Sequence, residues 1–307
     1  MHVKLHWLAL TRGLMMKSED TPVLLSHDET DALMRSITEQ ISLDTFDRDN
    51  HAVIKQMVEC MGDSRGMVRL RFAETLGEIG ESATPFIIEA LLHHTNPVVR
   101  RAAGKTLTLI GDPTAVPSLV YALLNDEDTV VKGSVVGALA RTGEASVTAL
   151  LDILADPVHP ESTKGHAAWA LAFIGPEAAP YLENAIKSDS IDVRCAAVGA
   201  IAHLAQDKGD ERAYQILLET LNDKDPNVRT EAAAALGKLA YPPAVPPLIL
   251  ALSDPDGEVR RTTAISLGKL GDRSAIPPLE IALNDESEPV RVLAKLAIAK
   301  IENHEDL

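Results

Sequence analysis

Residues 68–80 read V-R-L-R-F-A-E-T-L-G-E-I-G, and residues 228–240 read V-R-T-E-A-A-A-A-L-G-K-L-A. The same cassette returns from Val99, Val131, Thr163, Val193, Val259 and, more loosely, Val290. Successive starts lie 31, 32, 32, 30, 35, 31 and 31 residues apart. A period of this length is the signature of a stack of small units, each burying its apolar face only against its neighbours. The predicted fold is all-α: a right-handed α-solenoid of about eight helical hairpins. Such a chain works through an extended surface rather than a single closed core.

Each cassette is one helix of a hairpin, and the other precedes it. These earlier helices are predicted at His51–Met61, Ala83–Leu92, Ala115–Leu124, Ala145–Leu154, Glu177–Lys187, Glu211–Leu221, Ala244–Leu252 and Ala275–Leu283. Several carry proline in the first turn (Pro85, Pro117, Pro180, Pro246, Pro277), where the missing N–H costs nothing. Glycine or alanine closes the cassettes, as at Gly80, Gly111, Gly143, Gly175 and Gly271. In the turns, Asp or Asn before proline reads as an N-cap followed by an N1 proline. A basic residue in second place and an acidic one six earlier recur as Asp63/Arg69, Asp126/Lys132, Asp223/Arg229, Asp254/Arg260 and Asp285/Arg291. These pairs predict a structural ladder of charge-assisted hydrogen bonds between neighbouring turns.

The chain divides into a segment without structural role (1–21, unstructured or preceding a true start at Met15 or Met16), a capping segment (22–48), the repeats (49–302) and a polar tail (303–307). The cap is an amphipathic helix over Ser26–Leu43. Apolar residues make up 46% of the chain and aromatics only 3%, which suits close helix-on-helix packing by small aliphatic side chains. The net charge of -16 opposes a nucleic-acid partner, whose phosphates are met by Lys and Arg. Cys60 and Cys195 stand alone, without zinc-ligand spacing, and no metal site is expected. No apolar run reaches the roughly 18 residues of a membrane span. A cytoplasmic protein-binding chain is the expectation.

Function in a repeat stack is written where the copies differ. Positions 3, 7 and 11 of the cassette share one helical stripe outside the apolar consensus, predicted to face the concave groove. The third copy places Gly133, Gly137 and Arg141 there, the fourth Gly165, Trp169 and Phe173, the fifth Cys195, Gly199 and His203. The last three end in Lys238, Lys269 and Lys300. Aromatics bordered by glycines suit a flat conjugated ligand or a partner's apolar side chain. A packing role, with Trp169 plugging the irregular turn at Asp156–Lys164, is the alternative. The candidate groove residues are Arg141, Lys164, His166, Trp169, Phe173, Arg194, His203, Lys238, Lys269 and Lys300. No nucleophile elbow, P-loop or metal-binding histidine pair appears, so catalytic residues are unassigned.

Over Asp49–Ile301 the cassettes resemble the short HEAT-like repeats of phycobilisome lyases, the bilin lyase E/F type and the related phycobilisome-degradation proteins. The resemblance implies a phycobiliprotein partner, met through the groove by a chaperone, a lyase-related protein or a phycobilisome-turnover factor. The alternative that it implies is a bilin lyase or isomerase working on an open-chain tetrapyrrole, as ligand or substrate, in a heterodimer. An adaptor for another helical protein, with no pigment, is the third reading. Deoxyhypusine hydroxylases share a similar repeat but hold iron through several His-Glu pairs, and here that dipeptide occurs only at His304-Glu305.

Overall fold

The computed structural model describes residues 25–208 and 210–303. The expected unstructured opening, and the tail beyond Asn303, lie outside the described residues. All regular structure among the described residues is helical. Helix α1 (His27–Ser42) begins with a reciprocal cap: the Glu29 amide donates to Ser26 Oγ, and the Ser26 amide donates to the Glu29 carboxylate. It buries Thr30, Met34 and Ile37.

Among the described residues eight hairpins follow, falling into two compact units divided between Ile110 and Gly111. The first unit holds α2 (His51–Cys60) with α3 (Gly66–Ile79), and α4 (Thr84–His93) with α5 (Pro97–Ile110). The second unit opens with α6 (Val116–Asn125) and α7 (Thr129–Arg141), then α8 (Glu144–Ala155) and α9 (Glu161–Ala172). Next come α10 (Ala179–Ala185) with α11 (Ile191–Lys208), and α12 (Glu211–Thr220) with α13 (Pro226–Lys238). The last hairpins are α14 (Val245–Ala251) with α15 (Gly257–Leu270), and α16 (Ile276–Ala282) with α17 (Glu288–Asn303).

Within the second unit, each odd-numbered helix packs directly on the next one, from α7 to α17, while the even-numbered helices pack mainly on their own partners. The cassettes therefore form the closely spaced layer. The cassette spells out that layer's core: Val228, Val259 and Val290 are fully buried, as are Leu236 and Leu267. Glycine supplies the close approach. A Cβ built on Gly237 would lie 2.4 Å from the Ser266 side chain and 2.7 Å from its Cα. One on Gly268 would lie 2.9 Å from Ala297 Cα.

The expected punctuation is present. Pro85, Pro117, Pro180, Pro246 and Pro277 sit in the first turns of their helices. Short 3-10 turns, such as Pro113–Ala115 and Arg273–Ala275, lead into several of them. Asp225 caps α13 ahead of Pro226, as the Asp-Pro spelling predicts. In the next turn the spelling misleads: Asp256 caps α15, accepting from the Glu258 and Val259 amides, and Asp254 before Pro255 is left for the ladder. Ala240 stands where other cassettes carry a left-handed glycine, and it holds a φ of 49°. A side chain in that region costs roughly 1–2 kcal/mol. Ala240→Gly is expected to raise stability by about 1 kcal/mol, read as a higher urea midpoint at unchanged m-value.

The ladder exists, with its partners reassigned. The basic residue reaches back six positions to a backbone carbonyl, not to the carboxylate. Nη1 of Arg69, Arg229, Arg260 and Arg291 donates to the carbonyls of Asp63, Asp223, Asp254 and Asp285 at 2.6–2.9 Å. The carboxylate pairs instead with the basic residue of the preceding repeat: Arg194 with Asp223, Arg229 with Asp254, Arg260 with Asp285, each through two parallel hydrogen bonds of 2.7–3.0 Å. The same carboxylates accept amides of their own turns, from Asp225, Asp256 and Ser287. The Arg260 guanidinium holds Asp285 below the usual carboxylate range. Burial raises Asp254, but Arg229 and the Asp256 amide together bring it below its ordinary value.

Candidate functional site

The irregular fourth repeat and the fifth build the one run of packed rings on the cassette helices of the second unit, among the described residues. Helix α9 ends at Ala172, so Phe173 occupies its C-cap. Trp169 lies one turn earlier, and the two rings stack with centroids 4.4 Å apart and planes 28° apart. Phe173 then meets the His203 imidazole of α11, centroid to centroid 4.5 Å at 49°. Three rings thus run in contact across two neighbouring helices. Trp169 is 49% exposed and Phe173 48%, so neither fills a void in the core. A tryptophan that plugged the turn would be covered.

Glycines flank this ledge. A Cβ built on Gly133 of α7, Gly165 of α9 or Gly199 of α11 would meet nothing within 4 Å. All three sit inside helices, where glycine is worse than alanine by roughly 0.5–1 kcal/mol. Gly237 and Gly268 have a packing reason to be glycine; these three have none. Their effect is to leave open space beside exposed rings.

The structure separates the expected groove residues. Trp169, Phe173 and His203 come together. Arg141 ends α7 on the same stripe and is exposed, its Cγ 3.4 Å from where a Gly111 Cβ would be. His166 is half-buried on α9 and joins none of the ring contacts. Lys238, Lys269 and Lys300 lie exposed in the last turns of α13, α15 and α17.

Lys164 and Arg194 stand elsewhere. Arg194 is 2% exposed, and its guanidinium is taken up by Asp223 and by the Ser188 and Asp189 carbonyls. Lys164 is buried and pairs with Asp192, a hydrogen bond that raises its ammonium above the ordinary lysine range. Both belong to the ladder. The cassette spelling already assigned them its second position, which is the signal that should have kept them out of the groove.

Cys195, at position 3 of the fifth cassette, is half-buried on the helix that carries His203. Burial, and then the carboxylates of Glu231, Asp225 and Asp192, push its thiol up to about 12. At neutral pH it is protonated and a weak nucleophile. Among the described residues no cluster of three or more His, Cys, Asp or Glu is placed to hold a metal ion, and no helix is long and apolar enough to cross a membrane. The arrangement can bind and orient a flat apolar group.

Stacked two-helix repeats with a buried cassette consensus and an open stripe define a HEAT-repeat solenoid. A family profile described as HEAT repeats matches residues 84–172, 159–224, 179–249 and 245–307. The chain is 36% identical over 227 residues to "Bilin biosynthesis protein MpeU" of Synechococcus sp., covering 74% of this chain and 76% of that protein. It is 48% identical over 193 residues to "Phycocyanobilin lyase subunit alpha" of Picosynechococcus sp., covering 63% of each. The solved karyopherin Kap121p, bound to the extreme C-terminus of Cdc14p, shares the fold with a TM-score of 0.57 at 16% identity, over 93% of this chain and 38% of that one. This chain belongs to the HEAT-repeat proteins of the bilin lyase E/F type.

Proposed function

We propose that this chain handles an open-chain tetrapyrrole for phycobiliproteins, holding the pigment against the Trp169–Phe173–His203 ledge. The similarity to proteins of bilin biosynthesis and attachment supports the ligand class. The observation that carries the reading is the half-exposed ring stack beside helical glycines that face open space. A conjugated pigment gains offset stacking on such a surface. Arg141, exposed on the adjoining helix, offers a charge-assisted partner for a propionate. The chain's part is binding and orientation. Burial holds the Cys195 thiol well above the ordinary cysteine range, which makes it a weak nucleophile and suits a binding role for the helix that carries it.

Adding phycocyanobilin to the purified protein is expected to produce an induced circular dichroism band in the visible. Trp169→Ala is expected to remove it while changing stability by less than about 1 kcal/mol, as for a half-exposed surface residue. Absence of an induced band in the unaltered protein would refute the pigment reading. A fall in stability of about 3–5 kcal/mol, the cost of truncating a buried aromatic, would return Trp169 to the core. The second reading, an anchor for a protein partner, draws on the place of tryptophan among interface hot spots. It requires capture of an apo-phycobiliprotein that Trp169→Ala weakens in the absence of pigment.

A further inference from the structure

The stripe that carries the ledge continues over the last three cassette helices with a different chemistry. Across α7 to α17, positions 3, 7 and 11 are basic at Arg141, Lys238, Arg261, Lys269 and Lys300 and acidic nowhere. The chain as a whole has 45 acidic residues against 29 basic ones. An acid-free strip on so acidic a protein is a local inversion of its charge. Arg261 is occupied by Glu258 of its own helix. Lys238, Lys269 and Lys300 are exposed and, among the described residues, have no ion pair or hydrogen bond. Beside them on the same stripe the terminal helix exposes Val292 at 50% and Leu296 at 58%.

A lysine in the last turn of a helix is accounted for by the helix dipole alone. That accounts for each lysine singly. It does not account for the missing carboxylates in a chain that supplies one to Lys164, Arg194, Arg212, Arg229, Arg260 and Arg261. Nor does it account for two large apolar side chains left half-exposed on that face.

We propose that the Lys238–Lys269–Lys300 column, with Val292 and Leu296, docks an acidic amphipathic α-helix of a protein partner. The spacing selects the partner's register. Packed helices lie roughly 8–10 Å apart, so the three ammonium groups repeat at about that distance. Seven residues of α-helix rise about 10 Å and return to nearly the same face. A helix with carboxylates at i, i+7 and i+14 therefore meets all three lysines, and apolar residues beside that stripe meet Val292 and Leu296. Since the rest of the protein repels an acidic peptide, complementarity at this strip has to draw it in. The inference shares with the preceding reading only the premise that this stripe is the working face. It does not depend on a pigment.

Two fluorescent helical peptides of identical composition test it, one with Glu at i, i+7 and i+14 and one with the same Glu residues spread around the helix. Anisotropy titration of the full chain is expected to show at least tenfold tighter binding of the first peptide. Raising salt from 50 to 500 mM is expected to weaken that binding at least tenfold. The triple variant Lys238→Glu/Lys269→Glu/Lys300→Glu is expected to lose it while keeping the far-ultraviolet dichroism of the unaltered protein, and Lys238→Gln/Lys269→Gln/Lys300→Gln, which places no anion at a helix C-terminus, is expected to weaken it at least tenfold. Equal affinity for both peptides, no binding of either, or an unaffected triple variant would each overturn the proposal. Phycocyanobilin titrated into the same variant separates the two readings, because its induced band is expected to survive charge reversal here.

Discussion

Arg194→Ala is expected to lower the unfolding free energy of the second unit by about 3–5 kcal/mol, the range for removing one partner of a buried ion pair. The guanidinium is 2% exposed and donates to both Asp223 oxygens at 3.0 Å, to the Ser188 carbonyl at 2.8 Å and to the Asp189 carbonyl at 3.1 Å. Truncation leaves Asp223, with a side chain only 14% exposed, facing a void without its counter-charge. Arg194→Lys is expected to recover part of the loss, since an ammonium keeps the charge but cannot form two parallel bonds. Asp223→Ala should match Arg194→Ala, and the double variant should cost less than the two together, because each single change already abolishes the shared interaction. Urea denaturation of the four variants measures this. A loss under about 1 kcal/mol would place the pair with surface ion pairs, whose contribution is small.

That ladder also shows where sequence reading succeeds and where it stops. The cassette made the repeat count, the helix pairing and the buried Val and Leu positions legible, because each copy must satisfy the same packing. The ladder's existence was legible for the same reason, since Arg229, Arg260 and Arg291 recur at one position with an acid six before. Its connectivity was not. An Asp at that offset lies as near in sequence to its own arginine as any partner could, yet the turn aims the backbone carbonyl there and sends the carboxylate to the preceding repeat. Only the superposition of two repeats decides between them. In the site, Trp169 and Phe173 were readable as an i, i+4 pair on one helix, while contact with His203 depends on how α9 and α11 pack. The Tyr214–Tyr241 stack, with centroids 3.9 Å apart, had no sequence signal at all. It joins a helix of one repeat to the loop that opens the next.

Glycine carries the second large effect, with the opposite sign. Replacing Gly133, Gly165 and Gly199 together by alanine is expected to stabilise the protein by about 2 kcal/mol, since each helical glycine costs roughly 0.5–1 kcal/mol against alanine. The added methyl groups meet nothing within 4 Å, so no strain offsets the gain. The identical change at Gly237 is expected to destabilise, because its Cβ would fall 2.7 Å from the Ser266 backbone. Chemical denaturation of the two variants separates open glycines from packed ones within one fold. A loss of stability in the triple variant would mean that the open glycines serve packing after all. If they do not, their cost to stability has the form of a stability–function trade-off, in which space is kept for something that enters it. Gly199→Leu sharpens the point by filling that space beside His203 and the stacked rings. Phycocyanobilin is expected to bind this variant at least tenfold more weakly than the unaltered protein, with the fold intact. Undiminished pigment binding would show that the ligand lies elsewhere, and the ledge would then stand as a contact for protein alone.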